Sequence, residues 1–422
     1  MNYKDESKEK VIIAGLHTSG RDYLNNTTEE SMHELAELVD TAGGEVVGEM
    51  VQNRPYPDSG TYFGEGKLEE LKTAVLSLEA SLVVFDDELT PVQLRNISDL
   101  LGVRVLDRSM LILDIFAMRA RSGEGKLQVE LAQLKYQLPR LRGMGIELSR
   151  TGGGIGTRGP GETKLESDRR HIRTRIAALE EELREIKKHR QLLRSRREKD
   201  GVITAAIVGY TNAGKSTLLN RLTDAGVFAE NKLFATLDTT SRAITLEDNR
   251  EIILIDTVGF IRKLPHYLIE AFKSTLEEAV TADFLIHVID ASSEEADNRI
   301  TVAENVLDEI GAGGKPVIKV YNKCDLNESF IPSDDGKSKN VFISAKTGKG
   351  IGELIEAIAD TAPGKKTKHR LLIPYSDGSV LNDLHSSEKV ISEEYTADGV
   401  EIEVLIDNIT YGKLKKYEIS EM

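Results

Sequence analysis

The residues with the clearest chemical potential are eight consecutive positions near the middle of the chain, Gly209-Tyr210-Thr211-Asn212-Ala213-Gly214-Lys215-Ser216. They match the pattern G-x-x-x-x-G-K-[ST], in which glycines let backbone N–H groups approach phosphates closely. The apolar run 202–208 predicts a buried strand before them. Thr217 begins a predicted helix, whose N-terminus adds positive potential. We expect Lys215 to reach the β- and γ-phosphates of a nucleotide and Ser216 to hold Mg²⁺.

Three further motifs follow in the order that a guanine-nucleotide site requires. Asp256-Thr257-Val258-Gly259 ends an apolar strand and should bring a carboxylate to Mg²⁺ and a glycine N–H to the γ-phosphate. Asn322-Lys323-Cys324-Asp325 follows another strand, and the Asp325 carboxylate can accept two hydrogen bonds that only guanine offers. In Ser344-Ala345-Lys346, the Ala345 N–H is expected to bind the guanine O6. Because each motif follows a predicted strand, all four should meet at one edge of an α/β sheet.

A further loop, residues 233–240, lies where a segment that responds to the bound nucleotide belongs. We expect GTP contacts from Phe234, Ala235, Thr236, Leu237 and Asp238. A second Mg²⁺ ligand should come from the hydroxyl of Thr236, although spacing leaves Thr239 and Thr240 as alternatives.

Phe260 stands after the D-x-x-G motif, where many GTPases carry a glutamine that orients the attacking water. A phenyl ring cannot do this, so no catalytic side chain is predicted with certainty and hydrolysis by the isolated protein should be slow. The missing group must come from elsewhere in the chain, from a partner or from a monovalent cation such as K⁺. Asn212 is the candidate ligand for such a cation.

Composition bounds the class of protein. The chain has 422 residues, of which 40% are hydrophobic, so we expect several domains. No run of eighteen apolar residues predicts a membrane span, and the polar segment 1–10 does not resemble a secretory signal. A single cysteine, Cys324, argues against a disulfide framework and favours a cytoplasmic protein.

Charge is distributed unevenly along the chain. The net charge is −15, yet residues 119–199 carry 21 Lys and Arg against 11 Asp and Glu, a local excess of +10. One basic segment in an acidic protein points to a localised anionic partner.

The hydrophobic pattern predicts a multidomain α/β protein in five parts. A disordered tail, 1–10, precedes an N-terminal α/β domain with a parallel sheet, 11–108, and a long antiparallel helical hairpin, 109–200. A P-loop GTPase (G) domain, 201–362, and a small α+β domain, 363–422, follow, joined by a linker over 363–368. Ser109 is the predicted N-cap of the first helix after the N-terminal domain.

The hairpin is predicted from leucine spacing. The first arm carries a seam spaced four and three residues apart, Leu127, Leu131, Leu134, Leu138 and Leu141. Pro139 should end or kink this arm. A glycine- and arginine-rich loop, 143–161, connects it to the second arm and is longer than a turn needs. Candidate RNA-binding residues are Arg140, Arg142, Arg150, Gly153, Gly154 and Arg158. The alternative is a disordered linker with solvated basic faces.

The turn 60–67 is a second glycine-rich segment. It could bind an anion, but its spacing does not match a phosphate loop, and a plain glycine-rich connection is favoured.

On these motifs the chain resembles the HflX family of translation-linked GTPases. The resemblance rests on 60–67, on Gly152-Gly153-Gly154-Ile155-Gly156-Thr157-Arg158-Gly159-Pro160-Gly161-Glu162, on 234–238 and on 256–260. It implies binding to the large ribosomal subunit, with the hairpin loop near the peptidyl-transferase centre, and splitting of stalled or idle ribosomes in the GTP state. It also supports Thr236 as a Mg²⁺ ligand. Thr239 replaces the proline expected after Asp238, which leaves the conformation of this loop less defined.

Alternatives remain at this point. A GTP-gated RNA chaperone or large-subunit assembly factor would share the basic hairpin. A GTPase that regulates a protein partner would use the hairpin as a coiled-coil docking arm. A second nucleotide activity could reside in the N-terminal domain at 60–67. In every case we expect a monomer that binds GTP and GDP.

Overall fold

The computed structural model describes residues 8–18, 28–148, 160–199, 201–223, 233–234, 239–263, 265, 268, 273–327 and 338–419. They form three separate sheets with flanking helices, so the predicted multidomain α/β class is confirmed. Within these ranges, no helix combines the length and the apolar character that crossing a bilayer demands. The division of the chain at 108, 200 and 362 stays a prediction.

The N-terminal sheet is parallel throughout, with strand order β2-β1-β3-β4. Its strands are β1 (Lys10–His17), β2 (Glu45–Asn53), β3 (Leu82–Phe85) and β4 (Arg104–Asp107). The intervening helices are α1 (Thr28–Thr41), α2 (Glu65–Leu78) and α3 (Pro91–Leu101). Helices on both faces bury the apolar central strands, which is why β3 reads as a continuous hydrophobic run.

Two predictions for this region are wrong. Lys10 is the first residue of β1, and the Lys8 ammonium lies 3.2 Å from Asp40. The predicted disordered tail therefore does not extend to residue 10. The N-cap of helix α4 (Arg108–Arg119) is Asp107, whose carboxylate accepts from the Met110 N–H at 2.9 Å. Ser109 is buried inside the first turn. Aspartate and serine both cap helices well, so the position of the N-cap depends on where β4 ends.

The hairpin consists of helices α5 (Gly123–Leu148) and α6 (Pro160–Lys199). They run antiparallel, because Arg190 pairs with Glu124 at one end of the contact and Lys135 pairs with Glu180 at 2.9 Å further along.

Two predictions about the hairpin need correction. Helix α5 does not end at Pro139 but continues for nine residues beyond it. The loop is also narrower than 143–161, since 143–148 belong to α5 and 160–161 begin α6. Pro160 suits a first helical position, where no N–H is needed. Residues 149–159 lie outside the described part of the chain.

The central sheet has six strands in the order β10-β9-β8-β5-β7-β6, with only β6 antiparallel. Its strands are β5 (Ile203–Gly209), β6 (Thr240–Thr245), β7 (Glu251–Asp256), β8 (Phe284–Asp290), β9 (Val317–Asn322) and β10 (Lys339–Phe342). The described helices of this unit are α7 (Lys215–Thr223), α8 (Lys273–Thr281), α9 (Ala296–Ile310) and α10 (Ile351–Thr361).

The C-terminal sheet is antiparallel, in the order β11-β13-β12. It contains β11 (Thr367–Ile373), β12 (Lys389–Tyr395) and β13 (Val400–Ile406), with helices α11 (Gly378–Ser387) and α12 (Asn408–Leu414). The predicted hairpin of β12 and β13 is confirmed. Thr367 and Lys368 already belong to β11, so the predicted linker is shorter than 363–368.

One hydrophobic core joins the N-terminal sheet, the hairpin and the central unit. Phe116 of α4 and Phe234 pack edge to face, with ring centroids 4.7 Å apart. Val258 and Ile261, which flank the D-x-x-G glycine, are buried in the same core. These parts of the chain are therefore packed as one body.

Asp107 makes buried polar contacts inside this body. Its fully buried carboxylate accepts from Leu89 N at 3.1 Å, from the Tyr136 hydroxyl at 2.8 Å and from Arg140 at 3.3 Å. We expect Asp107→Ala to lower the free energy of unfolding by about 3–5 kcal/mol, because Arg140 loses a buried counter-charge. Urea titration measures this loss.

The control is Asp99→Ala. Asp99 pairs with Arg95 at 3.6 Å on the surface, and such a pair contributes about 0–1 kcal/mol. Equal losses in the two variants would contradict the role given to Asp107.

Candidate nucleotide site

The four predicted motifs lie at one edge of the central sheet. β5 ends at Gly209, β7 at Asp256 and β9 at Asn322, and Ser344 comes two residues after β10. These strands are parallel and share one sheet. The structure therefore brings together motifs that are distributed over more than a hundred residues of sequence, from Gly209 to Lys346.

The phosphate loop, residues 209–216, takes a backbone path that needs its glycines. Gly209 has φ +146° and Gly214 has φ +97°. A Cβ on Gly209 would lie 2.2 Å from the Val288 carbonyl oxygen, and one on Gly214 would lie 2.3 Å from Asn322 Nδ2. Any larger residue would push the loop away from the sheet edge.

Lys215 is buried at the centre of the phosphate loop. Its ammonium donates to the carbonyls of Gly209 at 3.1 Å and Tyr210 at 2.8 Å. Burial lowers the pKa of Lys215 to about 8, while the nearby carboxylate of Asp256 opposes the shift. A phosphate would supply the counter-charge that this buried ammonium favours.

Ser216 and Asp256 provide the oxygen donors that Mg²⁺ prefers. The Ser216 hydroxyl donates to Asp256 Oδ2 at 2.7 Å, and Asp256 is fully buried. The pair could hold a Mg²⁺ ion, for which phosphate oxygens and water would supply the other ligands. In the described part of the chain, no cluster of three His, Cys, Asp or Glu residues could hold a metal without such help.

The Asn322 side chain connects three of the motifs. Its Nδ2 donates to the Ala213 carbonyl at 2.8 Å, and its Oδ1 accepts from the Ala345 N–H at 2.9 Å. Lys323 follows with φ +64°, and its ammonium donates to Asp290 Oδ2 at 2.7 Å. The base-recognition motif is thereby held at a set distance from the phosphate loop.

Asp325 is the candidate for guanine recognition. Its carboxylate is exposed, and a hydrogen bond from the Ser344 side chain holds its pKa below the usual value. It is therefore ionised and can accept two hydrogen bonds from guanine. The Ala345 N–H, expected to bind O6, donates to Asn322 here and would have to share or exchange that bond. The exposed Lys346 ammonium lowers the same pKa from nearby.

In the D-x-x-G motif, Gly259 lies against the phosphate loop, as Asp256 does through Ser216. A Cβ on Gly259 would lie 2.7 Å from Thr211 Cγ2 and 2.9 Å from Lys215 Nζ. The Thr257 hydroxyl donates to the Ile207 carbonyl at 2.8 Å, and Val258 lies in the shared core. These two side chains support the strand instead of facing a ligand.

Phe260 is buried, 2% exposed, in a core cluster that includes Tyr210. Its carbonyl accepts from Thr211 N at 2.8 Å, and its N–H donates to the Gly209 carbonyl at 3.0 Å. The residue therefore positions the phosphate loop through its backbone and offers no group that could orient water.

The remaining predicted residues divide into three sets. The Phe234 ring is buried against Phe116. Arg140 donates to Asp107 and Glu88, and its guanidinium stacks on the Tyr136 ring at 3.3 Å, while its contact with RNA stays a prediction. The described part of the chain excludes Ala235, Thr236, Leu237, Asp238, Arg150, Gly153, Gly154, Arg158 and the side chain of Arg142.

The turn 60–67 has no N–H groups to spare for an anion at its start. The Asp58 carboxylate accepts from Gly60 N at 2.9 Å and Thr61 N at 3.3 Å, and Gln52 accepts from Gly64 N at 3.0 Å. Tyr62 N donates to the Asp58 carbonyl at 3.0 Å. This favours the plain connection over a second nucleotide site.

Sequence reasoning missed two residues that contact the site from behind. Glu34 of α1 accepts from the Tyr210 hydroxyl at 2.6 Å, and Arg262 donates its N–H to the same hydroxyl oxygen at 2.9 Å. No local pattern marks Glu34, because it is one acidic residue on a helix 176 positions before its partner.

Comparisons with known proteins find relatives over nearly the whole chain. Family models match residues 29–117 (GTP-binding GTPase N-terminal), 119–197 (GTP-binding GTPase middle region) and 204–323 (50S ribosome-binding GTPase). A GTPase HflX of Caldanaerobacter subterraneus is 52% identical over 98% of this chain and 94% of its own length. A GTPase HflX of Lacrimispora saccharolytica is 48% identical over 97% and 96%. The crystal structure of SsGBP with GDP covers 83% of this chain and 98% of its own, at 29% identity and a TM-score of 0.47.

Guanine selectivity can be tested with Asp325→Asn. The amide replaces one acceptor with a donor, so GTP affinity should fall by roughly a hundredfold, from the loss of bonds to a charged group. Affinity for xanthosine triphosphate should rise relative to GTP. Calorimetric titration compares the two nucleotides, with Asp398→Asn in the exposed β12–β13 turn as the charge-matched control. An unchanged GTP affinity would show that this motif is misassigned.

The Lys215 ammonium predicts a pH-dependent stability. Its pKa falls from 10.5 in the unfolded chain to about 8 in the folded protein, so the unfolded chain binds more protons between these values. The stability of the nucleotide-free protein should therefore rise with pH across that window. Lys215→Met should reduce this rise and abolish GTP binding. Urea titrations at pH 8 and 10 that show the same rise in the variant would refute the assignment.

Proposed function

The chain belongs to the HflX family of GTPases, and from that premise we propose that it binds the large ribosomal subunit and, in its GTP state, splits stalled or idle ribosomes. Hydrolysis of GTP then resets or releases it. The observation that carries this proposal is a basic helical hairpin packed onto the body that holds the nucleotide site. The model matched by residues 204–323, described as a 50S ribosome-binding GTPase, supports the choice of partner.

The positive charge of α6 is neutralised unevenly. In its second half, Arg184 pairs with Glu181, Lys188 pairs with Glu185, and Arg190 reaches Glu124. Nearer the loop, Arg170 and Arg173 are exposed and, among the described residues, make no ion pair. Unneutralised guanidinium groups bind phosphate well, so the end of α6 near the loop is the favoured RNA-facing end.

The other end of α6 is attached to the nucleotide-binding unit. Lys187 pairs with Glu277 of α8, and Arg194 lies 3.4 Å from Glu278 of the same helix. Helix α8 is the next helix with described bounds after the D-x-x-G motif. A structural change at that motif can therefore reach the hairpin through α8, which follows the motif in sequence and contacts α6.

Each part of the nucleotide site has a separate task. The phosphate loop and Lys215 bind the phosphates, and Asp325 selects guanine. Ser216, Asp256 and Thr236 would hold Mg²⁺, which neutralises charge on the β- and γ-phosphate oxygens. Phe260 leaves the water-orienting role to another group. We assign that group to the ribosome or to a K⁺ ion held by Asn212, which takes φ +60° in the loop.

Ribosome binding can be tested at Arg170 and Arg173. The double alanine variant should weaken co-sedimentation with isolated large subunits, because two phosphate contacts are lost. The slope of log affinity against log salt should fall by about two. The matched control is Arg184→Ala with Lys188→Ala, which removes the same charge from pairs within the helix. An equal loss in the control would show that net charge alone drives binding.

Splitting is tested separately from binding. Replacing 152–161 with a short Gly-Ser turn should leave GTP affinity intact and strongly slow the loss of light scattering when intact ribosomes meet the protein and GTP. Splitting at the wild-type rate would show that the loop is only a linker. Retained subunit binding without any splitting by the unaltered protein would favour an RNA chaperone or assembly factor.

A further inference from the structure

A buried carboxylate of the N-terminal sheet unit lies directly behind the phosphate loop. Glu34 is 5% exposed and accepts hydrogen bonds from three groups. These are the Tyr210 hydroxyl at 2.6 Å, the Arg108 guanidinium at 2.7 Å and the Arg262 backbone N–H at 3.2 Å. Arg108 is itself fully buried and also binds Asp86 at 2.8 Å. The carboxylate is thus paired and fixed in one position.

Two of these partners belong to the nucleotide site. Tyr210 is the second residue of the phosphate loop, and its carbonyl accepts from the Lys215 ammonium at 2.8 Å. Arg262 comes three residues after Gly259, and its N–H donates to the Tyr210 hydroxyl as well, at 2.9 Å. One carboxylate therefore holds the phosphate loop and the segment after the D-x-x-G motif against each other.

The same segment is held by further ion pairs with the N-terminal unit. The Lys263 ammonium pairs with Asp86 and lies 3.0 Å from Asp87, both just after β3. Arg262 pairs with Glu30 of α1. These contacts reach the segment through its side chains, whereas Glu34 alone binds its backbone and the phosphate loop together.

The consequence falls on Gly259. Its Cα packs so closely on the phosphate loop that an added Cβ would lie 2.8 Å from Thr211 Cα and 2.9 Å from Lys215 Nζ. Gly259 is therefore adjacent to the Lys215 ammonium, beside which the γ-phosphate is expected to sit. GTP carries that phosphate and GDP does not, so an arrangement that fixes Gly259 there adds affinity for GTP alone.

We propose that Glu34 is a positioning residue that raises the affinity of the site for GTP relative to GDP by holding Tyr210 and Arg262 together. The effect rests on the proposed placement of the γ-phosphate between Gly259 and Lys215. It makes the N-terminal unit part of the nucleotide sensor, since a carboxylate outside the central sheet sets the preference.

The decisive measurement is a ratio of affinities. Calorimetric titration of Tyr210→Phe with a non-hydrolysable GTP analogue and with GDP should show the analogue-to-GDP affinity ratio reduced by about tenfold, the size of a typical coupling. This variant keeps the ring and leaves the Glu34–Arg108 pair intact, so the fold is preserved. Glu34→Gln should reduce the ratio similarly. Combining the two changes should reduce the ratio little further, because both disturb the hydrogen bond between Glu34 and Tyr210.

The matched control is Tyr411→Phe, which removes a hydroxyl that donates to Glu418 at 2.6 Å in the C-terminal unit. Its ratio should equal that of the unaltered protein. Equal weakening of analogue and GDP in Tyr210→Phe would show a purely structural role and overturn the proposal, as would an unchanged or increased ratio. This measurement does not involve ribosomes. If the protein did not bind or split ribosomes, the measured ratio of analogue to GDP affinity would stay the same.

Discussion

The carboxamide of Asn322 is the interaction on which the nucleotide site depends. One side chain uses its donor on the phosphate loop at 2.8 Å and its acceptor on the Ala345 N–H at 2.9 Å. Because it bridges β9, the loop after β5 and the loop after β10, it sets the distance between phosphate and base recognition. Gly214 follows from the same constraint, since a Cβ there would occupy the position of the amide nitrogen. A carboxylate of equal size could accept but not donate, and would face the Ala213 carbonyl unfavourably.

The shared hydrophobic core makes the nucleotide unit inseparable from the N-terminal sheet and the hairpin. Phe234 and Ile261 are buried in a core that also contains residues of α4 and α5, and the Phe234 ring packs on Phe116 of α4. A change in the loops that carry them must therefore repack helices outside the central unit. Close-packed interiors respond to such changes by switching between arrangements instead of deforming gradually. The buried ion pairs around Arg108 make this packing specific, because each buried charge requires its particular partner.

The sequence was most informative where a local pattern has only one physical solution. Buried apolar strands followed by glycine, aspartate or asparagine predicted the sheet edge, and the four motifs meet there. The alternation of strands and helices likewise predicted the parallel N-terminal sheet. Contacts that depend on tertiary packing could not be predicted from the sequence. The sequence gives no sign that Arg140 pairs with Asp107, because that contact forms only when α5 packs on the N-terminal unit. Pro139 is tolerated inside α5 although it removes a backbone hydrogen bond. The contact of Glu34 with Tyr210 joins helix α1 to the distant phosphate loop, and no local sequence pattern predicts it.

The length of α6 has a mechanical consequence. Its 40 residues extend about 60 Å, while its ion pairs with α8 all lie within the last thirteen residues. The helix is therefore held by α8 near its C-terminal end and by α5 as far as Arg175, which pairs with Glu130 at 2.7 Å. Pro160 lies 27 residues before Lys187, which is about 40 Å at 1.5 Å per residue. A rotation of the hairpin by about 5° at α8 would carry that end through roughly 3.5 Å, although nothing there touches the nucleotide.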